Sequence, residues 1–343
     1  MPGRPVIWPR LQRRPPGGPG IAAPGPLLAG RFALAGIVGQ GGVGTVYRTL
    51  DHHRVRSGSP PFEVAVKIVE SGEPEAALSL RREGRCLLGL RHPHIVRAYE
   101  AGSDGHRPFL VMELLRGETL AQILRRPSCR ALDLPMALSL LREIGAALAA
   151  LHRAGLIHGD VKPGNVFLTR DGCAKLIDLG AARPIAAAGL GPGEVASGQA
   201  GGITPAYASP SLLDGHAPDP RDDVFALATL AYVLLTGDHP TGGSPAAEDD
   251  PAPARPPVFD DARWAVLRQG LHRDPAQRPA DIGAFAAHLA RPSRLDRLRP
   301  LLRPLLRPSL RAGGPAASPL PLRWRGLVLS SAPSLAAAQG PVP

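Results

Sequence analysis

The chain has 343 residues, among them 40 glycines, 40 prolines and three cysteines, with a formal net charge of +11. That length fits one large domain or two lobes with tails, and the charge sits in the flanks. Residues 1–30 hold four arginines and no acid, and residues 291–343 nine arginines and one acid, so 31–290 is near neutral.

Several classes are set aside at once. A nucleic-acid surface needs aromatics interleaved on a folded basic face, and aromatics make up only 4% of the chain, so no nucleic-acid partner is expected. Cys86, Cys129 and Cys173 are odd in number and lack CxxC spacing, which argues for reduced thiols in a cytoplasmic protein rather than disulfides or a zinc site. The N-terminus has arginines without an apolar core, so a signal peptide is not expected. The longest apolar run, Val224 to Leu235, is too short to span a bilayer and predicts a buried helix.

Residues 1–30, rich in proline and glycine, are expected to be disordered. From Phe32 the pattern changes: Ala33–Gly39 and Thr45–Leu50 read as strands around a glycine turn, and Glu63–Val69 as a β-branched strand. The turn, Gly39-Gln40-Gly41-Gly42-Val43-Gly44-Thr45-Val46, has the GxGxxGxV form, in which bare backbone amides can approach phosphate oxygens. Alone it fits a structural turn equally well. A dinucleotide fold would follow it with a helix, whereas Val46-Tyr47-Arg48 continues as strand and favours a hairpin flap.

Val64-Ala65-Val66-Lys67 places a lysine on an alternating strand, 23 residues past the last loop glycine. The chain has only three lysines, Lys67, Lys162 and Lys175, against 37 arginines, so a compact ammonium at this position is selective. Glu75 to Leu90 has helical periodicity with Ala77, Leu80, Leu87 and Leu90 inward. Glu83 on that helix, 16 residues past Lys67, is the candidate carboxylate to orient it. A surface lysine is the competing reading. His94–Gly102 and Pro108–Glu113 read as two further strands.

After Gly117 the chain turns helical, and Leu134–Ala154 ends at Gly155 as a C-cap. Then comes His158-Gly159-Asp160-Val161-Lys162-Pro163-Gly164-Asn165, followed thirteen residues later by Asp178. Phosphoryl transfer needs that set. Asp160 would orient the attacking hydroxyl, Lys162 would neutralise the moving phosphate, and Asn165 with Asp178 would hold magnesium through oxygen. A polar turn explains the residue types but not the spacing. His158 itself reads as a packed structural histidine. Val166–Leu168 and Ala174–Ile177 form a hairpin about Asp171-Gly172, and 181–203 reads as a mobile loop. Helices are expected at 222–236, 261–271 and 280–290. In the tail, Pro-Leu-Leu-Arg recurs at 300–307, an interval that forbids a regular helix.

These motifs, in this order and over about residues 31–290, resemble the bacterial Hanks-type serine/threonine protein kinases. The resemblance implies an α+β, two-lobed fold with the active site between the lobes: a β-rich N-lobe with one main helix, about 31–116, and a helical C-lobe, about 117–290. It implies ATP and Mg2+ as cofactors, with Mn2+ as a substitute, and Ser/Thr-bearing proteins as partners. The nucleotide would meet Val38, Gly39, Gly41, Gly42, Gly44, Val46, Ala65, Lys67, Glu83, and the hinge at Glu113 and Leu115, with Met112 as gatekeeper. Catalysis would fall to Asp160, Lys162 and Asn165, the metal to Asn165 and Asp178, and acceptor docking to Thr204 in Gly202–Tyr207. Asp223 resembles the acid that braces the catalytic loop, and Arg278 the late structural arginine.

Three positions depart from the family. Gly159 replaces an arginine that binds a phosphorylated loop in many members, Leu179 replaces phenylalanine, and Ser211 stands where a glutamate usually partners Arg278. Glu194, Asp214, another acid or water is then expected to serve Arg278. A nucleotide-binding pseudokinase scaffold is the alternative reading, and a small-molecule kinase a weaker one, opposed by 202–211. Residues 291–343 read as a solvated low-complexity tail in preference to a membrane or acidic-partner contact.

Overall fold

The computed structural model describes residues 27–41, 44–54, 62–69, 74–185, 203–247, 252–291 and 328–329. They divide into two compact units, Met1–Gly84 with Ala98–Leu114, and Arg85–Arg97 with Leu115–Pro343.

The first unit is built on five antiparallel strands: β1 (Phe32–Gly41), β2 (Gly44–Asp51), β3 (Phe62–Ile68), β4 (Ala98–Asp104) and β5 (Arg107–Glu113), in the order β1-β2-β3-β5-β4. Period-two alternation gives the sheet two different faces. Val64, Val66 and Ile68 pack with Leu28, Phe32, Phe109 and Val111 into one buried cluster, where Phe32 and Phe109 meet edge to face at 5.8 Å. Ala65 and Lys67 lie on the opposite face, and the register sets Lys67 against Val46 and Leu110, and Ala65 against Met112. Helix α1 (Pro74–Leu88) comes close there: a Cβ on Gly84 would lie 3.2 Å from Ala101 Cβ and 3.4 Å from Leu110 Cδ1.

Two expectations are corrected here. Leu28 belongs to the fold: it is buried, and its amide and carbonyl each bond to Phe32 at 3.0 Å. The strand read over His94–Gly102 begins only at Ala98. Pro93 lacks an amide for a ladder, and Ile95, itself part of the second unit, turns back to His92 O and bridges Leu176 of the same unit.

The second unit is mainly helical. Helix α3 (Leu134–Arg153) starts at the Asp133 N-cap, whose side chain accepts from Met136 N, with Pro135 in the first turn. It packs on α5 (Pro220–Thr236) and α7 (Ile282–Leu289), which follow α4 (Pro210–Leu213) and α6 (Asp261–Gly270) in the chain. By length and composition α3 could cross a membrane, but 61% of its most apolar window is buried, as in a core helix. All of Asp222–Leu235 is buried on α5, so apolar residues appear on every side of it. The stop is Gly237, left-handed at φ 77°.

Short strands frame the candidate chemistry. β6 (Gly117–Thr119), β9 (Val166–Thr169) and β10 (Ala174–Leu176) form a three-stranded sheet, so the chain extends briefly after Gly117 before becoming helical in α2 (Leu120–Leu124). β8 (Leu156–Ile157) pairs with β11 (Arg183–Pro184), bracketing both acidic motifs. β7 (Ala131–Leu132) pairs with Val328–Leu329, so one dipeptide of the C-terminal segment is in extended pairing. The rest of the two tails, and most of the 181–203 loop, lie outside the described residues.

Candidate active site

In the first unit, β1 and β2 form the glycine hairpin, with Gly39 opposite Val46 and Gly41 opposite Gly44. Gly44 is required by geometry: its φ is 132° and a Cβ would stand 2.4 Å from Ile68 O. Val38 is 52% exposed, an apolar side chain presented outward. Gly42 lies outside the described residues.

Lys67 is buried, and its Nζ donates to Glu83 Oε2 at 2.7 Å. A buried ammonium is costly unless paired, so this contact decides between the two readings of Lys67 in favour of the oriented one. Ala65 and Met112 flank it on the same face. Glu113 closes β5 and Leu115 follows two residues later.

In the second unit, the segment after β8 converges on Asp160. Its Oδ1 accepts from Thr204 N at 2.9 Å, and its Oδ2 accepts from Asn165 Nδ2 at 2.8 Å and lies 2.6 Å from Lys162 Nζ. Lys162 Nζ also donates to Thr204 Oγ1. Asn165 Nδ2 reaches the Asp160 carbonyl as well, at 2.9 Å; with both amide hydrogens on Asp160, its side-chain oxygen is the atom left for a cation. Ile177 N donates to Asn165 O at 2.9 Å, which sets Asp178 one residue past that anchor. Asp178 is left-handed at φ 65°, an uncommon conformation of the kind held at functional sites, and its Oδ1 accepts from Gly180 N. Leu179 is buried, as an apolar replacement for phenylalanine should be.

Asp223, fully buried on α5, accepts from His158 N and Gly159 N, both at 2.9 Å, and contacts His152 Nε2 at 2.8 Å. His152 is a brace that the sequence reading missed. Gly159 is left-handed at φ 75°, with Ala181 O 3.1 Å from where a Cβ would stand. His158 is buried; its Nδ1 accepts from Asp160 N, and Nε2 has no hydrogen-bond partner among the described residues.

The acid serving Arg278 is Asp222, which was not among the named candidates. Arg278 Nη1 lies 3.4 Å from Asp222 Oδ1, Nε and Nη2 donate to the His272 and Arg273 carbonyls, and the guanidinium sits 5.0 Å from the Phe225 ring centroid. Burial holds the Arg278 pKa below its usual value, with Asp222 opposing that shift. Ser209 Oγ and Ser211 Oγ both donate to the same Asp222 oxygen, and Asp222 Oδ2 accepts from Asp219 N in a capping box. The Asp219-Pro-Arg-Asp222 spacing is legible as a cap, but nothing in it announces the arginine.

Among known proteins, the chain matches the protein kinase domain over residues 32–286. It is 38% identical over 282 residues to the serine/threonine-protein kinase PknL of Mycobacterium tuberculosis, covering 77% of this chain and 66% of PknL. Against PknA of the same species the identity is 33% over 280 residues, covering 78% and 62%. Against the serine/threonine-protein kinase drp72 of Corynebacterium efficiens it is 34% over 274 residues, covering 76% and 50%. The chain thus spans about two thirds or less of the length of these curated relatives. A match over most of the chain, joined to an Asp160-centred network and a buried Lys67–Glu83 pair, places this protein in the protein kinase family, with the bacterial Hanks-type serine/threonine kinases.

Proposed function

We propose that this chain transfers the γ-phosphate of ATP to serine and threonine hydroxyls of protein substrates, with Mg2+ as the working cation and Mn2+ as a substitute. The family uses ATP with a divalent metal and acts on proteins. The donor set fits a hard cation, since Asn165 offers an amide oxygen and Asp178 a carboxylate. When bound, the cation neutralises phosphate charge.

The remaining steps belong to the chain's own residues. Asp160 orients the acceptor hydroxyl and takes its proton. Lys162, held between Asp160 and Thr204, steadies the negative charge in flight. Lys67, aimed by Glu83, grips the nucleotide phosphates, beneath a glycine flap of Gly39, Gly41, Gly42 and Gly44. Val38, Val46, Ala65, Glu113 and Leu115 are assigned to the adenine end. Thr204 docks the acceptor and, with Lys162, favours serine and threonine over tyrosine. The kinase domain is assigned to residues 27–290, its left border moved from 31 because Leu28 is buried in the cluster under the first sheet. The three cysteines, none in a disulfide, support a cytoplasmic placement.

The observation that carries this reading is the convergence of Lys162, Asn165 and Thr204 on one carboxylate. The test is transfer of radiolabelled phosphate from ATP and Mg2+ to a generic protein, wild type against Asp160→Ala. Loss of at least a hundredfold is expected; equal labelling, or none by the wild type at any nucleotide concentration, supports the scaffold reading.

A further inference from the structure

Away from the Asp160 network, three side chains distant in sequence meet at one point. Cys173 lies in the turn between β9 and β10, Glu143 in the middle of α3, and His94 in the segment that bridges Leu176. His94 Nδ1 stands 3.4 Å from Cys173 Sγ and 3.6 Å from Glu143 Oε2. The three ligand atoms lie within 4.8 Å of one another, and each residue is partly buried.

The arrangement distinguishes between two kinds of chemistry. In a nucleophilic relay the thiol and the carboxylate address opposite nitrogens of the imidazole, so that the ring passes a proton between them. Here both face the same Nδ1. Three donors aimed at one point, rather than strung in a line, suit a metal ion. The spacings agree: with Zn–S of about 2.3 Å and Zn–N and Zn–O of about 2.0–2.2 Å, a tetrahedral site has edges of about 3.5 Å between S and N and about 3.4 Å between N and O. Thiolate, imidazole and carboxylate together select a borderline-soft divalent ion over magnesium, and one thiolate plus one carboxylate cancel its charge. CxxC arithmetic could not find this site, because its ligands come from three separate segments.

We propose that His94, Glu143 and Cys173 bind a zinc-class divalent cation, with water as a fourth ligand. Binding ionises the Cys173 thiol and releases its proton to solvent. The imidazole hydrogen moves from Nδ1, where Ala174 O now lies 2.9 Å away, to Nε2, so the ion must displace that hydrogen bond. The amide of Ala174, which donates to Glu143 Oε2 at 2.8 Å, holds the carboxylate oriented throughout. The ion would tie the His94 segment, α3 and the β9–β10 turn together.

The test uses the full chain, stripped with chelator and titrated with Co2+ in excess Mg2+. One equivalent is expected to raise a thiolate-to-cobalt charge-transfer band with intense tetrahedral ligand-field bands, which Zn2+ then bleaches. Cys173→Ser abolishes the charge-transfer band, Glu143→Gln weakens Co2+ at least tenfold, and Cys86→Ser and Cys129→Ser change nothing. Should Cys173→Ser fail to fold, alkylation of the wild type read by mass spectrometry decides: Zn2+ protects Cys173 and neither other thiol. A missing band in the wild type, a band that survives Cys173→Ser in a folded protein, or equal alkylation with and without Zn2+ overturns the site and leaves a hydrogen-bonded cluster only.

Discussion

Arg278 shows how one residue's role passes to a neighbour in space. Among the described residues, Asp222 is the carboxylate partner of a guanidinium whose side chain is fully buried, and two serine hydroxyls share its Oδ1. Removing that charge strands a buried cation, so Asp222→Asn is expected to cost about 3–5 kcal/mol in urea unfolding. Ser211→Ala removes only one of several hydrogen bonds and should cost about 1 kcal/mol or less. Restoring the family's glutamate with Ser211→Glu should destabilise, because a second carboxylate would face Asp222; the double change Ser211→Glu with Asp222→Asn should recover much of the loss. A more stable Ser211→Glu single variant would contradict this assignment. Legibility at this scale follows chemistry. Lys67, Asp160, Asn165 and Asp178 stood out because phosphoryl transfer fixes both residue type and spacing. Asp222 did not, since its partner lies 56 residues away and no local rule links them.

Helix α3 gains close contact from a missing side chain. At Gly145 a Cβ would sit 2.2 Å from Ala286 Cβ on α7, so the two backbones approach more nearly than any other residue permits. Gly145→Ala gains about 1 kcal/mol of helix propensity. It also forces apart a contact with no flexible side chain to yield, at a cost of about 1–3 kcal/mol. The net expectation is a lower urea midpoint with an unchanged slope; a raised midpoint would mean that the helices separate freely. Elements with strong periodicity were legible within a few residues, as for α5 and α7. β8 and β11 were not, because two-residue strands carry no pattern. The Ile95-Val96 pair reads as strand by propensity, yet its partner is Leu176, a choice made by tertiary contact.

Across the whole chain, the net positive charge is concentrated outside the near-neutral body of residues 31–290, so it says little about the network around Asp160. Regulation can be argued from that body. The position that often holds a phosphate-binding arginine is Gly159, in a left-handed conformation beside Ala181. Thr204 is engaged by Asp160 and Lys162, which leaves Ser197 as the other hydroxyl acceptor between Gly180 and Pro205. Activity is therefore expected to stay within about twofold after phosphatase treatment and in Ser197→Ala, since no arginine stands at position 159 to reward a new phosphate. A large loss that tracks Ser197 would refute this.

Leu28 has a practical corollary for anyone trimming the molecule. Composition invites a cut just before Phe32, where the prolines and glycines give way to alternating strand, yet that cut would discard an aliphatic anchor wedged under the first sheet and the paired bonds that fold the chain back onto Phe32. The useful left-hand border of a minimal fragment is Leu27, inside a stretch that by composition alone looks dispensable.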